Sequence, residues 1–193
     1  MYYSPWCFSD AAMIACGLAY NGTDKGGKHA WDHIVNIYIF DLELYSTSCI
    51  QMMAYWNHTV HLWLKRGVQD RLIEPGQKAG LRETIIVFTV SAVWHGLYPF
   101  YYIMFFFCAL IVELSKEIFR SRALFSFMTP TVSHIVCNFL TMLALNYLGT
   151  AFTMLSFERG YNFLRATHFY MFIIIFVGLF LWKALGITKM EKK

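Results

Sequence analysis

Between Ile85 and Val112 lie 28 residues without a single Asp, Glu, Lys or Arg. An element that is apolar all round has to be buried in a large core or in a bilayer. As one straight helix the run would reach roughly 42 Å, against a hydrocarbon core of about 30 Å. It must therefore tilt strongly or break. The expected break is at Gly96 to Pro99, because proline has no N–H and the bond it would have donated in a helix goes to the residue four positions back. That residue is His95, the one titratable side chain of the SAVWHGLYPFYY stretch besides its tyrosines. An ionisable group at that depth is costly in hydrocarbon and persists where it lines a cavity or finds a partner. Irregular backbone at membrane depth is likewise tolerated only where protein or water surrounds it. The break thus implies a chamber beside His95, with a plain proline kink and a structural histidine as the simpler alternative.

Composition agrees with a membrane setting. Hydrophobic residues make up 58% of the chain and charged residues 15%, against roughly 25% charged in an ordinary soluble domain. The fold class expected is an all-α, multi-pass helical membrane protein. Two further segments, about Thr131 to Phe157 and about Thr167 to Trp182, are long and apolar enough to join the His95 run as membrane segments, giving about three between residues 85 and 193. The net charge of +4 is modest and its basic residues sit in short clusters between apolar runs, which excludes a nucleic-acid surface and fits juxtamembrane positions. The tail ITKMEKK favours a cytoplasmic C-terminus, although Met190 and Glu191 rule out a KKxx retrieval signal. Counting back places Glu158 to Ala166 on the lumenal side and Lys116, Arg120 and Arg122 on the cytoplasmic side. The loop with Lys65, Arg66, Arg71, Lys78 and Arg82 is also basic, so both ends of the His95 segment fall on the same side, and a long tilted span and a re-entrant hairpin both remain open.

Residues 1–84 differ in character. GLAYNGTDKGGKHAWD has the Gly, Asn and Asp content of a turn-rich connection. From about Leu42 to Arg66 the pattern is helical, with Asp41 and Glu43 at the start, Lys65 and Arg66 in the last turn and Gly67 just beyond. This helix carries Ser46, Ser48, Gln51, Asn57, His58 and His61, so it should line a protein interior or a re-entrant site and not face lipid, with Trp56 and Trp63 on one stripe. The five cysteines have no CxxC spacing and read as buried thiols. MYYSPWCFSD has no signal-peptide pattern.

Few catalytic patterns survive this reading. Asn21-Gly22-Thr23 and Asn57-His58-Thr59 match the glycosylation acceptor, a short motif frequent by chance. His58 and His61 lack the acidic or third histidine ligand that zinc would need, and no metal is expected. Ser91 lies one helical turn before His95, which makes a serine–histidine dyad conceivable, but GxSxG is absent and no acid is near in sequence. The better partner for His95 is Asn57, in YWNHTVHLWLKR.

Taken in order, GLAYNGTDKGGKHAWD, WNHTVHLWLKR and SAVWHGLYPFYY resemble the membrane-bound O-acyltransferase family, most closely its lysophospholipid acyltransferase branch, from about Tyr3 to the final apolar segment. Relatives of this kind are longer, so the whole chain, residues 1–193, reads as the C-terminal part of one such transmembrane domain. The resemblance implies a multi-pass enzyme of the endoplasmic reticulum membrane that moves a fatty acyl group from acyl-CoA, its co-substrate, to a lysophospholipid hydroxyl, with no further cofactor. It implies catalytic roles for His95 and Asn57, with Trp56, Trp94 and Gly96 at the matching flanking positions. Other acceptors of the family, such as diacylglycerol, a sterol or a secreted peptide, and a non-catalytic membrane protein are the alternatives. Chemically, a neutral His95 fits a general base for the acceptor hydroxyl, and the amide of Asn57 fits an oxyanion or positioning donor. Phe100 stands where relatives of this branch usually carry glycine. With Trp56, Ser91 and Trp94 it is a candidate substrate contact, expected to narrow the passage near His95 or to alter the break.

Overall fold

The computed structural model describes residues 3–121 and 126–184. The described elements are helices joined by turns, and the ITKMEKK tail and Arg122 lie outside the described residues. Helix α1 covers Tyr3–Ala15. A turn-rich connection follows, tied by an isolated bridge between Thr23 and His29, as its composition implies. A π-helical turn at Asp41–Tyr45 leads into α2, Cys49–Tyr55, and α3, His58–Leu64. A second π-helical turn, Lys65–Gln69, passes into the short α4, Asp70–Leu72. Then come α5, Leu81–His95, α6, Pro99–Arg120, α7, Pro130–Phe152, α8, Phe157–Ala166, and α9, Tyr170–Ala184.

The break between α5 and α6 falls where proline chemistry requires. Helix α5 ends at His95, Gly96 takes φ 133°, a value that side chains rarely adopt, and Pro99 opens α6 at a position where no N–H is needed. The chain reverses there. Thr84, in the first turn of α5, lies 2.8 Å from Glu113 and receives Lys116 Nζ at 3.1 Å, and both of these residues belong to the far end of α6. The rings of Phe88 and Phe105 meet half-way along. The His95 run is thus an antiparallel helical hairpin with both ends on one side of the bundle, in keeping with the basic residues at both ends.

Two expectations need correction. The continuous helix from Leu42 to Arg66 is broken twice. Ser46 and Ser48 are extended, with the Ser48 hydroxyl accepting the Gln51 N–H to cap α2, and Asn57 is left-handed at φ 46°, ψ 53°. Serine and asparagine bond nearby backbone as readily as they sit in a helix, which is why polar residues mark the breaks. Because the second break lies between Trp56 and Trp63, these do not share one stripe. Gly67 does not end the helix either; it sits inside the π-helical turn. The second correction concerns the membrane segments. Of the three expected, α7 stands as a single helix long and apolar enough to cross a membrane. The 15 residues of α9 reach only about 22 Å, and α9 qualifies only when joined to α8 across a bend of 75°. His168 and Phe169, left-handed at φ 50° and 52°, make that bend. Glu158 to Ala166, expected as a connection, is almost all of α8.

Helix α6 is the centre of the packing. Phe100, Tyr101, Met104, Phe107 and Ile111 are buried along it. Phe107 stacks on Phe172 of α9 at 3.4 Å between centroids. Ser115 receives the N–H of Cys49 and anchors the start of α2. On the other flank, Asn138 of α7 donates to the carbonyls of Glu43 and Ser46, and His134 bonds the carbonyl of Leu44, so α7 holds the first π-helical turn. The outer faces of α7 and α9 expose Ile135, Phe139, Leu140, Ile174 and Phe180, an apolar exterior suited to lipid. The thiols divide: Cys49 and Cys108 are buried as expected and Cys137 is half-buried, but Cys7, on α1, which buries no residue fully, and Cys16, just beyond it, are exposed.

One close fit is testable. Phe100 is 1% exposed, and a Cβ placed on Gly160 of α8 would overlap three carbons of its ring. Gly160→Ala should cost about 1–3 kcal/mol through overpacking, read as a lower thermal midpoint in detergent. In a Phe100→Ala background the same change should cost nothing further; equal losses in both backgrounds would show that the two residues do not share one packing site.

Candidate functional site

Asn57 and His95 are placed by two different devices. Asn57 joins α2 to α3, and asparagine is the side-chain-bearing residue that most readily takes the left-handed conformation found there. It occupies the cap position of α3 without making a side-chain capping bond. Its neighbours hold the backbone on both sides. The N–H of His58 donates to the Asn36 carbonyl at 2.6 Å, the Thr59 hydroxyl donates to the Val35 carbonyl at 3.0 Å, and the N–H of Tyr38 donates to the Tyr55 carbonyl at 3.3 Å. The His58 ring bonds the Ala54 carbonyl at 2.8 Å; a carbonyl only accepts, so Nδ1 carries the hydrogen. His58 is therefore used in the local fold, and His61, whose pKa is pushed down by burial and then by His58 and Lys65, is a separate half-buried group. Among the described residues no cluster of three or more His, Cys, Asp or Glu forms a metal site.

His95 ends α5 at the turn of the hairpin, inside a shell of rings. Phe105 stacks on it at 5.1 Å, and Phe152 of α7 and Trp94 meet it edge-on at 5.0 Å and 4.6 Å. Tyr101 stacks on Phe152 at 4.4 Å and closes the same side. These rings fix the plane of the imidazole without using its nitrogens. Neither the His95 ring nor the Asn57 amide hydrogen-bonds a described residue, and among the described residues no fully buried side-chain nitrogen or oxygen lacks a partner. Both residues are only half-buried, so the polar atoms of each open onto accessible space, as groups that meet a substrate must.

The remaining sequence candidates separate. Trp56 carries the end of α2, and its ring packs edge-on against Trp6 at 4.9 Å and Tyr3 at 6.0 Å, so it anchors the Asn57 corner to α1. Trp94 is 52% exposed and borders His95 from the outer side. Ser91 is buried, and among the described residues no hydrogen bond joins it to His95. Phe100 points into the core against Gly160; it is not one of the rings around His95, and the break keeps its place at Gly96 to Pro99. Among the described residues no hydrogen bond or ring contact joins Asn57 to His95 directly. The second π-helical turn, which continues α3, packs against α5.

Sequence reading missed Phe105 and Phe152 as the wall of the His95 site. Phe105 is one of three consecutive phenylalanines and nothing local marks which of them turns inward, while Phe152 comes from another helix.

Comparison with known proteins adds the context. Residues 1–158 match the family model described as MBOAT, membrane-bound O-acyltransferase family. The chain is 38% identical over 163 residues to lysophospholipid acyltransferase 2 of Arabidopsis thaliana, covering 82% of this chain and 35% of that protein. It is 37% identical over 185 residues to lysophospholipid acyltransferase 1 of the same plant, covering 93% and 40%. With a lysophospholipid acyltransferase of Saccharomyces cerevisiae the identity is 34% over 191 residues, covering 94% and 31%. The chain thus spans about a third of the length of these relatives. On the family match and on identities of this size over most of its residues, the chain belongs to the membrane-bound O-acyltransferase family.

Proposed function

We propose that this chain carries the catalytic residues of a lysophospholipid O-acyltransferase, multi-pass in the endoplasmic reticulum membrane, that uses acyl-CoA as donor and no further cofactor. The observation that supports it best is an imidazole and a carboxamide, neither of them hydrogen-bonded to a described residue, in a chain whose matched relatives are named lysophospholipid acyltransferases.

In this reading the substrates lie between the two corners. His95 takes the proton of the lysophospholipid hydroxyl as its oxygen attacks the thioester carbon. The N–H of the Asn57 amide donates to the carbonyl oxygen as it becomes an oxyanion. Collapse of the tetrahedral intermediate breaks the C–S bond, leaves an ester, and returns the proton from His95 to the CoA thiolate. A thioester is already activated, so no acyl-enzyme is needed. The ring shell assists by holding the imidazole plane and limiting water, which would otherwise compete with the lipid hydroxyl.

Two outcomes are expected in membranes containing the intact protein, supplied with labelled acyl-CoA and a panel of lysophospholipids. His95→Ala should lower the transfer rate by about 10²- to 10⁴-fold, and a folded variant working at the wild-type rate would remove His95 from the role of base. At Asn57 the backbone and the amide can be separated. Asn57→Gly keeps the left-handed conformation and should fold normally yet lose about 10²- to 10³-fold in rate, whereas Asn57→Ala should in addition lose about 1–2 kcal/mol of stability. Full activity in Asn57→Gly would show that only the backbone at this position matters.

A further inference from the structure

The left-handed turn at Asn57 is held by a residue that lies 21 positions earlier and that no motif reading marks. Asn36 presents its carbonyl to the N–H of His58, the residue directly after Asn57, at 2.6 Å. Asn36 is itself fastened to α1: its N–H lies 3.0 Å from Asp10 Oδ1 and 3.2 Å from Oδ2, its side-chain Nδ2 donates to Asp10 Oδ1 at 2.6 Å, and the same Nδ2 reaches Ser9 Oγ at 3.2 Å. One carboxylate thereby receives both the main-chain and the side-chain N–H of Asn36, a two-point grip that sets its position and its rotation. Hydrogen bonds to an ionised acceptor are the short, strong kind. The bond from Thr59 to Val35 and the bond from Tyr38 to Tyr55 flank the same contact, so the chain from Val35 to Tyr38 braces both sides of the turn.

We propose that Asn36, gripped by Asp10, is a positioning residue for acyl transfer: it sets the direction in which the Asn57 amide points. The proposal rests on the catalytic reading of Asn57 given above. A left-handed residue is kept in place only when its surroundings over-determine it, and the carboxamide of Asn57 makes no bond of its own to a described residue that would do so. The brace is what remains to orient it. An amide displaced by about 1 Å from the developing oxyanion loses on the order of 100-fold in rate, while substrate binding, which uses other contacts, is little changed.

The grip can be broken and rebuilt by exchange. Asn36→Asp faces Asp10 with a second carboxylate, and the exchanged pair Asp10→Asn with Asn36→Asp restores one amide and one carboxylate in the same place. In membranes containing the intact protein, with acyl-CoA and the preferred lysophospholipid varied separately, Asn36→Asp should lower kcat by about 100-fold with both KM values within about twofold of wild type. The exchanged pair should recover kcat to within about fivefold of wild type, and Asn36→Asp should cost nothing further in an Asn57→Gly background. Retention of kcat in Asn36→Asp, a loss confined to KM, or an exchanged pair no more active than the single variant would each overturn the proposal. The Asn57→Gly arm separates the two levels. If it stays fully active, the catalytic reading of Asn57 is at fault; if it is inactive while Asn36→Asp is active, only the positioning role falls.

Discussion

The reversal of the chain at Gly96 to Pro99 is the constraint on which the rest of the structure depends. Proline cannot continue the hydrogen-bond ladder of α5, glycine alone accepts the φ of 133° that turns the backbone, and α6 must then run back along α5. The hairpin is closed at its far end by Thr84, Glu113 and Lys116, a half-buried ion pair whose third partner satisfies the charges left over. A buried pair without such a partner would bring desolvation cost and little stability in return. With it, the pair fixes the register of α5 on α6, and so the level at which His95 meets Phe105.

From that hairpin the site follows as a consequence of packing. Helix α6 carries Phe107 against α9, Ser115 against α2 and Phe100 against α8, so the elements are arranged around one helix. The same helix supplies Phe105 to His95, while α7 supplies Phe152 and clamps the chain that leads to Asn57. Stability and site share these elements. Rings that fill the bundle also hold the imidazole, and its nitrogens hydrogen-bond no described residue.

Much of this was legible because single residues carry strong local chemistry. The break at Pro99 and the turn-rich connection from Gly17 follow from backbone rules that hold in any context, and His95 was conspicuous as an ionisable group in an uncharged run. The long helix from Leu42 to Arg66 misled because its periodicity is truly helical on both sides of Asn57. The break is rewarded by long-range bonds with Val35, Asn36 and Tyr38, which are distant in sequence. Phe100 misled for the converse reason. Its closeness to His95 in sequence suggested a shared cavity, but the first turn of α6 rotates it away, and Gly160 supplies the space that its ring needs.

The sequence by itself determined that the chain is helical and apolar enough for a membrane, where its longest apolar run must break, and which imidazole and carboxamide stand out. These are properties of local backbone chemistry and of the cost of burying charge. Tertiary structure alone decided that the broken run is an antiparallel hairpin, that Asn57 is left-handed, and that rings from two helices enclose His95. Such features depend on which distant groups meet, and no local pattern carries that information.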